Sequence, residues 1–367
     1  MRRFLGQALF VALLLSAGCA RQQATPPPAP SPTPRPTRPP VYSLLDGAVV
    51  PPRSGNHRIA AVMIDNYPRD ARPQSGLRDA DVIYEVEAEG GITRYMALYL
   101  ERTPAKIGPV RSARTYFVDF ARPYNPLFAH AGENNDVWAM LADLRDSGFA
   151  DMDQIVGTPE AFWRDSSRDM PHNLYTSIAK MRATAPKYGY KDSPFNAEEF
   201  AFAPDPLATT TADPPPSIAP DPVSSASASP SPAPSAPPDA TLTFWNNYTV
   251  RFHPTGDGYE RSIKGVLQHD LDDSRPYKIA DIIAVWIPAK VLDELGDLQM
   301  EIYGTFPAVL IRDGNAFTGY WVAPSPDSMP QLIDKDGQAL PLAPGQIYVE
   351  VLPQGGTVKN GKNIWSH

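Results

Sequence analysis

Asp81-Val82-Ile83-Tyr84-Glu85-Val86-Glu87, then Gly90-Gly91, then Thr93-Arg94-Tyr95-Met96-Ala97-Leu98-Tyr99-Leu100 is the stretch that decides the fold. The first run alternates. Val82, Tyr84 and Val86 fall on one face and Ile83, Glu85 and Glu87 on the other, the period of a strand. The glycine pair reads as a turn, so the two runs predict a hairpin. Upstream, Arg58–Ile64 reads as a buried strand. Downstream, Ala113–Ala121 and Asp136–Arg145 have helical spacing, with Val137, Met140, Leu141 and Leu144 on one face. Ser177–Tyr188 is a third, less regular helix. Strands and helices mixed in this way predict an α+β domain over residues 53–202.

Beyond it the pattern changes. Tyr248–His253, Asp281–Ile287, Ala308–Arg312, Ala316–Val322 and Gln346–Val351 are rich in β-branched and aromatic residues, and Asp313-Gly314 is a hairpin signal. Residues 241–367 are therefore expected to form a mainly β domain, and the fold class is α+β overall. Of 43 prolines in 367 residues, twelve fall in Pro204–Asp239 and nine in Gln22–Pro40. Such tracts cannot bury a core. Residues 203–240 are read as a disordered Pro/Ala/Ser spacer.

The N-terminus reads as an address. Arg2 and Arg3 precede the apolar run Leu9–Leu15, a secretory signal over residues 1–18. The run is too short to cross a bilayer, which takes roughly 20 apolar residues. Cys19 is the only cysteine. Leu14-Leu15-Ser16-Ala17-Gly18-Cys19 resembles a bacterial lipobox, with Ser16 where leucine is commoner. The resemblance implies cleavage before Cys19 and lipid attachment to its sulfur, hence anchoring to the membrane from an extracytoplasmic position. Residues 19–52 would then be a Pro-rich tether, able to reach roughly 100 Å at about 3.1 Å per residue. Net charge is −8, with 33 basic against 41 acidic residues. That balance excludes the basic field a nucleic-acid binder needs.

Several strings, in order, resemble the N-terminal domain of the YerB-like lipoprotein family: Asp65-Asn66, Arg72-Pro73-Gln74-Ser75-Gly76-Leu77, Ala80–Glu85, Glu89–Arg94, Ile107-Gly108-Pro109-Val110-Arg111-Ser112-Ala113-Arg114 and Pro171-His172-Asn173-Leu174-Tyr175. Tyr259-Glu260-Arg261-Ser262, His269-Asp270 and Gly319-Tyr320-Trp321 resemble its C-terminal domain. The resemblance covers most of Arg58–Leu352. It implies an α+β fold and a bacterial surface lipoprotein, and it implies no reaction. After His130-Ala131-Gly132 this chain has Glu133-Asn134, where the family usually has Gly-Ser.

Three groups of residues carry candidate chemistry. Glu85, Glu87 and Glu89 at every second position would share a strand face, with Arg94 past the turn as a partner. Paired carboxylates can act as acid and base, although a solvated face with a cross-strand ion pair is the plainer reading for Glu87 and Glu89. Arg72, Arg94, Arg111 and Arg114, with Asp65 and Asn66 at the end of the first strand, are candidate ligand-binding residues. Guanidinium groups near a helix start suit an anion, and internal pairing is the competing reading. His130 and His172 are candidate bases alongside Glu85, or else structural. Their spacing defines no zinc motif, and no metal or cofactor is expected. There is no phosphate-binding glycine loop, nucleophile elbow or Cys-His pair, which argues against nucleotide-dependent enzymes and thiol hydrolases. The expected function is a membrane-anchored binding or accessory protein for an anionic cell-envelope component. The alternatives are an envelope hydrolase or transferase using Glu85 with His130 or His172, and a scaffold for surface proteins.

Overall fold

The computed structural model describes residues 41–50, 57–195, 200–202, 236–245, 248–294 and 296–367. The expected signal peptide, Cys19, the tether up to residue 40 and most of the spacer lie outside the described residues. The N-terminal half is mixed α/β and the C-terminal half mainly β. In chain order the principal elements are β1 (Ala60–Asp65), β2 (Val82–Glu87), β3 (Thr93–Tyr99), α1 (Thr115–Ala121), β4 (Leu127–His130), α2 (Asn135–Asp146), β5 (Ala150–Asp153), β6 (Phe162–Arg164), β7 (Leu174–Thr176) and α3 (Ile178–Thr184). The second half adds β8 (Ala240–Thr243), β9 (Thr249–Thr255), β10 (Gly258–Ile263), β11 (Ile279–Trp286), β12 (Gly304–Arg312), β13 (Asn315–Ala323), β14 (Gln346–Leu352), β15 (Thr357–Asn360) and β16 (Asn363–Ser366). Among the described residues no helix is long and apolar enough to cross a membrane.

One sheet runs through both halves, in the order β16-β15-β8-β9-β10-β11-β14-β2-β3-β1-β4-β5, with the β12–β13 hairpin branching from β11. The joint is a parallel pairing of β14 with β2, which sets Glu350 beside Glu85. β2, β3 and β1 follow as antiparallel neighbours, and β1, β4 and β5 are parallel. The carboxyl ends of β1, β2, β4, β5 and β14 therefore point the same way.

Both faces are covered, which is why β1 and β3 read as unbroken apolar runs rather than alternating ones. Val82, Tyr84 and Val86 of β2 face a core closed by Tyr116 and Phe117 of α1, Val137 and Leu141 of α2, and Trp321 of β13. Ile83 faces a second core shared with Ile178 and Met181 of α3 and with Val250, Phe252 and Tyr259 of the C-terminal half. The alternation in β2 is real, yet its polar face does not meet solvent. Glu85 is wholly buried and Glu87 is 4% exposed, which corrects the reading of a solvated carboxylate face. β9 and β10 supply the cover.

The segment 107–113 is a strap across the strand ends. Ile107 pairs with Thr176 of β7 in both directions, Pro109 accepts from the Asp65 N–H, and the Arg111 N–H reaches Met63. Gly108 sits at φ +147, and a Cβ there would lie 2.7 Å from the Leu174 carbonyl oxygen. Only glycine lets the strap lie this close to β7.

Candidate functional site

Polar residues collect at the carboxyl ends of the parallel strands, the place where open sheets with parallel strands hold their ligands. Asp65 is the last residue of β1, His130 of β4 and Asp153 of β5, and Arg94 stands opposite Asp65 at the start of β3. The residues fall into three groups.

The first group is buried around Glu85. One carboxylate oxygen accepts from the hydroxyls of Thr93 (2.6 Å) and Tyr248 (2.8 Å) and from Asn66 Nδ2 (3.1 Å). The other is bound by Arg261 of β10. Arg261 is fully buried, donates to the Tyr95 hydroxyl, and lies over the rings of Tyr95, Phe252 and Tyr348. Its Nε is 3.7 Å from Glu350, whose carboxyl is pushed well above its ordinary value by burial and by the neighbouring Glu85. Arg261 and Glu85 form the ion pair at the centre of the trio, and Glu350 beside them is driven toward its neutral form. Asn66 Oδ1 accepts from Arg72 Nε (2.6 Å) and Gln74 Nε2 (3.0 Å). Burial, with Glu85 next to it, drives the Tyr248 hydroxyl up to about 12.

The second group lies nearer the surface. His172 Nδ1 is 2.7 Å from Asp65 Oδ2, and Arg111 Nε is 3.3 Å from the same oxygen. Tyr67 stacks on the His172 ring, with centroids 5.2 Å apart. The Arg111 side chain is 34% exposed. Next to it, Glu89 holds both Arg94 (2.7 Å) and Arg114. Burial opposes ionisation of Glu89, but the two guanidinium groups outweigh it and its carboxyl titrates below the usual range. The helix expected to begin at Ala113 begins at Thr115, runs seven residues and has Arg114 as its N-cap. Arg94 and Arg114 thus turn to Glu89 and are committed to internal pairing.

The third group is separate. His130 is fully buried, with Nε2 2.7 Å from Asp151 Oδ1, while Nδ1 faces Glu133 and Asp153. Burial works against its protonation, but Asp151, Asp153 and Glu133 together shift it upward. Of the residues singled out in the sequence, Asp65, Asn66, Arg72, Glu85, Arg111 and His172 form one connected network. Arg94 and Arg114 border it, and His130 belongs elsewhere. Arg261, Tyr248 and Glu350 were not foreseen, though Arg261, an arginine in an otherwise ordinary alternating strand, was a usable signal.

Beside Arg72 and Tyr248 opens a groove of about 340 Å³, floored by Val266 and Leu267 and bordered by Arg72, Lys264 and His269. None of its lining residues is acidic, in a chain with 41 acidic residues. Lys264 is held out at φ +49 in a two-residue turn between Ile263 and Val266 and makes no ion pair among the described residues.

These features define an α+β protein whose two halves share one sheet and whose polar cluster sits at their joint. The family described as "Protein of unknown function (DUF3048)" matches it twice, by its N-terminal domain over residues 45–191 and by its C-terminal domain over residues 240–349. The chain belongs to this family. It is 27% identical over 361 residues to the Bacillus subtilis (strain 168) protein named "Putative lipoprotein YerB", covering 97% of this chain and 98% of that one. It is also similar to the crystal structure of the YerB protein from Bacillus subtilis, with a TM-score of 0.70 and 26% identity, covering 87% of this chain and 99% of that one.

Proposed function

We propose that this chain is a lipoprotein, cleaved after residue 18 and lipidated at Cys19. It stands outside the cytoplasmic membrane and binds an anionic cell-envelope component. The lipobox-like sequence and the name of the Bacillus subtilis relative support the anchor. The observation that carries the ligand class is the groove. Its charged lining is basic, its floor is apolar, and it abuts the strand-end network through Arg72 and Tyr248. A ligand with carboxylate or phosphate groups on a partly apolar frame fits that lining. Arg72 and Lys264 meet its charge, and Arg111, half-exposed at the neighbouring mouth, extends the positive field. The test is retention of the full chain, purified in detergent, on cell-wall material. Retention should weaken with added salt and fall several-fold in Lys264→Glu, whose exposed turn position leaves the fold intact. Retention unchanged by Lys264→Glu and by Arg72→Gln overturns the reading.

One observation favours a second reading. Asp65 holds His172 by Nδ1, the way a carboxylate orients a general base, and Arg111 lies alongside. An envelope hydrolase or transferase would then act through His172. It would release soluble fragments from wall material, and His172→Ala would stop the release while Lys264→Glu would only slow it.

A further inference from the structure

We infer that His130, Glu133 and Asp153 form a binding site for one divalent first-row transition metal, of the zinc or manganese type. This inference does not rest on the anionic-ligand reading.

The fold builds the site from three directions. His130 ends β4, and Asp153 ends the parallel neighbour β5 directly opposite it. Glu133 comes from the loop between β4 and α2. That loop is pinned on both sides: the Gly132 N–H donates to Asp153 Oδ1 (2.8 Å), and the Gly132 carbonyl accepts from the Ala113 N–H (3.0 Å). Nδ1 of His130 lies 3.5 Å from Glu133 Oε2 and 3.7 Å from Asp153 Oδ1, and the three donor atoms all lie within 4.8 Å of one another. Ligand atoms around a tetrahedral ion with bonds of about 2.1 Å are about 3.4 Å apart. The two separations from Nδ1 are close to that spacing and longer than a normal hydrogen bond. The side chains are 0%, 6% and 4% exposed.

Two further observations point to a cation rather than to a self-contained ion cluster. Glu133 Oε2 is buried and accepts no hydrogen bond. An imidazolium donating from both nitrogens would bind Asp151 and the Gly132 carbonyl, 3.2 Å from Nδ1, and would still leave that oxygen unsatisfied. A buried carboxylate oxygen that accepts no hydrogen bond is costly. Second, Asp151 already occupies Nε2, and Arg145 Nε backs Asp151 at 3.2 Å. A carboxylate on the far nitrogen fixes the tautomer that presents a lone pair at Nδ1, as the outer partner of a metal-bound histidine does. One imidazole nitrogen with two carboxylate oxygens suits zinc or manganese. Calcium and magnesium prefer all-oxygen sets.

The test uses the full chain in detergent, stripped with a chelator and then dialysed against micromolar zinc chloride or manganese chloride. The expected result is uptake of one zinc or one manganese per chain, removable by chelator and accompanied by a higher thermal midpoint. Glu133→Gln is nearly isosteric and removes a buried charge that no hydrogen bond satisfies, so its metal-free midpoint should be no lower than that of the wild type. Its affinity should fall by at least tenfold, and metal should no longer raise its midpoint. Asp151→Asn should weaken binding about tenfold without changing the stoichiometry. No uptake of either metal at millimolar concentration overturns the site. So does uptake that Glu133→Gln leaves unchanged, since that places the ion elsewhere on the chain.

Discussion

Arg261→Met tests the joint between the two halves. In the wild type Arg261 is the only cation touching Glu85 among the described residues, and both are fully buried. Methionine fills much of the same volume between Tyr95, Phe252 and Tyr348 but takes the counter-charge away from the buried Glu85. Removing one member of a buried pair costs about 3–5 kcal/mol. Three retained hydrogen bonds, from Thr93, Tyr248 and Asn66, keep the value toward the lower end. The same carboxylate can instead be neutralised. In Arg261→Met with Glu85→Gln both members of the buried pair are gone, and burial still favours the neutral form of Glu350. The double variant should recover to within about 2 kcal/mol of wild type, giving a coupling energy of at least about 1 kcal/mol between neighbours. Urea unfolding followed by tryptophan fluorescence and far-ultraviolet circular dichroism measures all four corners of the cycle. Both probes should report one coincident transition, since the sheet runs through both halves. A single variant within about 1 kcal/mol of wild type refutes the argument, as does a double variant no more stable than the single one.

Two further outcomes follow from the structure and the sequence. Burial raises the Glu87 carboxyl from 4.5 to about 7, so the folded chain holds this proton more tightly than the unfolded chain. The resulting stabilisation is complete below about pH 4.5 and lost as pH rises through 7, a difference of about 3 kcal/mol. Glu87→Gln should flatten the decline in urea midpoint over that window and be the more stable protein at neutral pH. Parallel profiles for the two proteins would show that the carboxyl is not desolvated as the structure has it. For the anchor, Cys19→Ala should move the chain from the membrane pellet to the soluble fraction. A variant that still sediments with membranes removes the lipid from the account.

The strands and helices of the N-terminal half were legible because local periodicity specifies them. Glu85 shows where that legibility ends. Its place in an alternating strand was plain, but alternation says only that it opposes Tyr84 and Val86, and nothing about what covers that face. The cover comes from Phe252 and Arg261, more than 160 residues away along the chain, and long-range pairing leaves no mark on spacing. The arginines show the same limit. Arg94 could be read either as an anion ligand or as the ion-pair partner of the Glu85–Glu89 carboxylates, while nothing in the spacing tied Arg114 to Glu89. Folding places it in a short helical turn between them. Asp151, Asp153 and Glu133 went unremarked for a related reason. They surround His130 only once β4 and β5 pair, and Glu133 stood out solely as a departure from the pattern the chain otherwise resembles.

The joint also decides where any catalysis could sit. A general acid or base must change its protonation state in each cycle. If Glu85 took up a proton, Arg261 would lose the carboxylate that it is paired with in the core. The cost would be of the order of breaking the pair, about 3 kcal/mol or more, which is a rate penalty above a hundredfold for that step. His172 has no such handicap. Asp65, its partner, is also paired with Arg111, and the ring stacks on Tyr67 at the surface rather than on the core. Glu85 therefore serves the joint between the halves, and the hydrolase or transferase proposed as the second reading has to act through the Asp65–His172 pair.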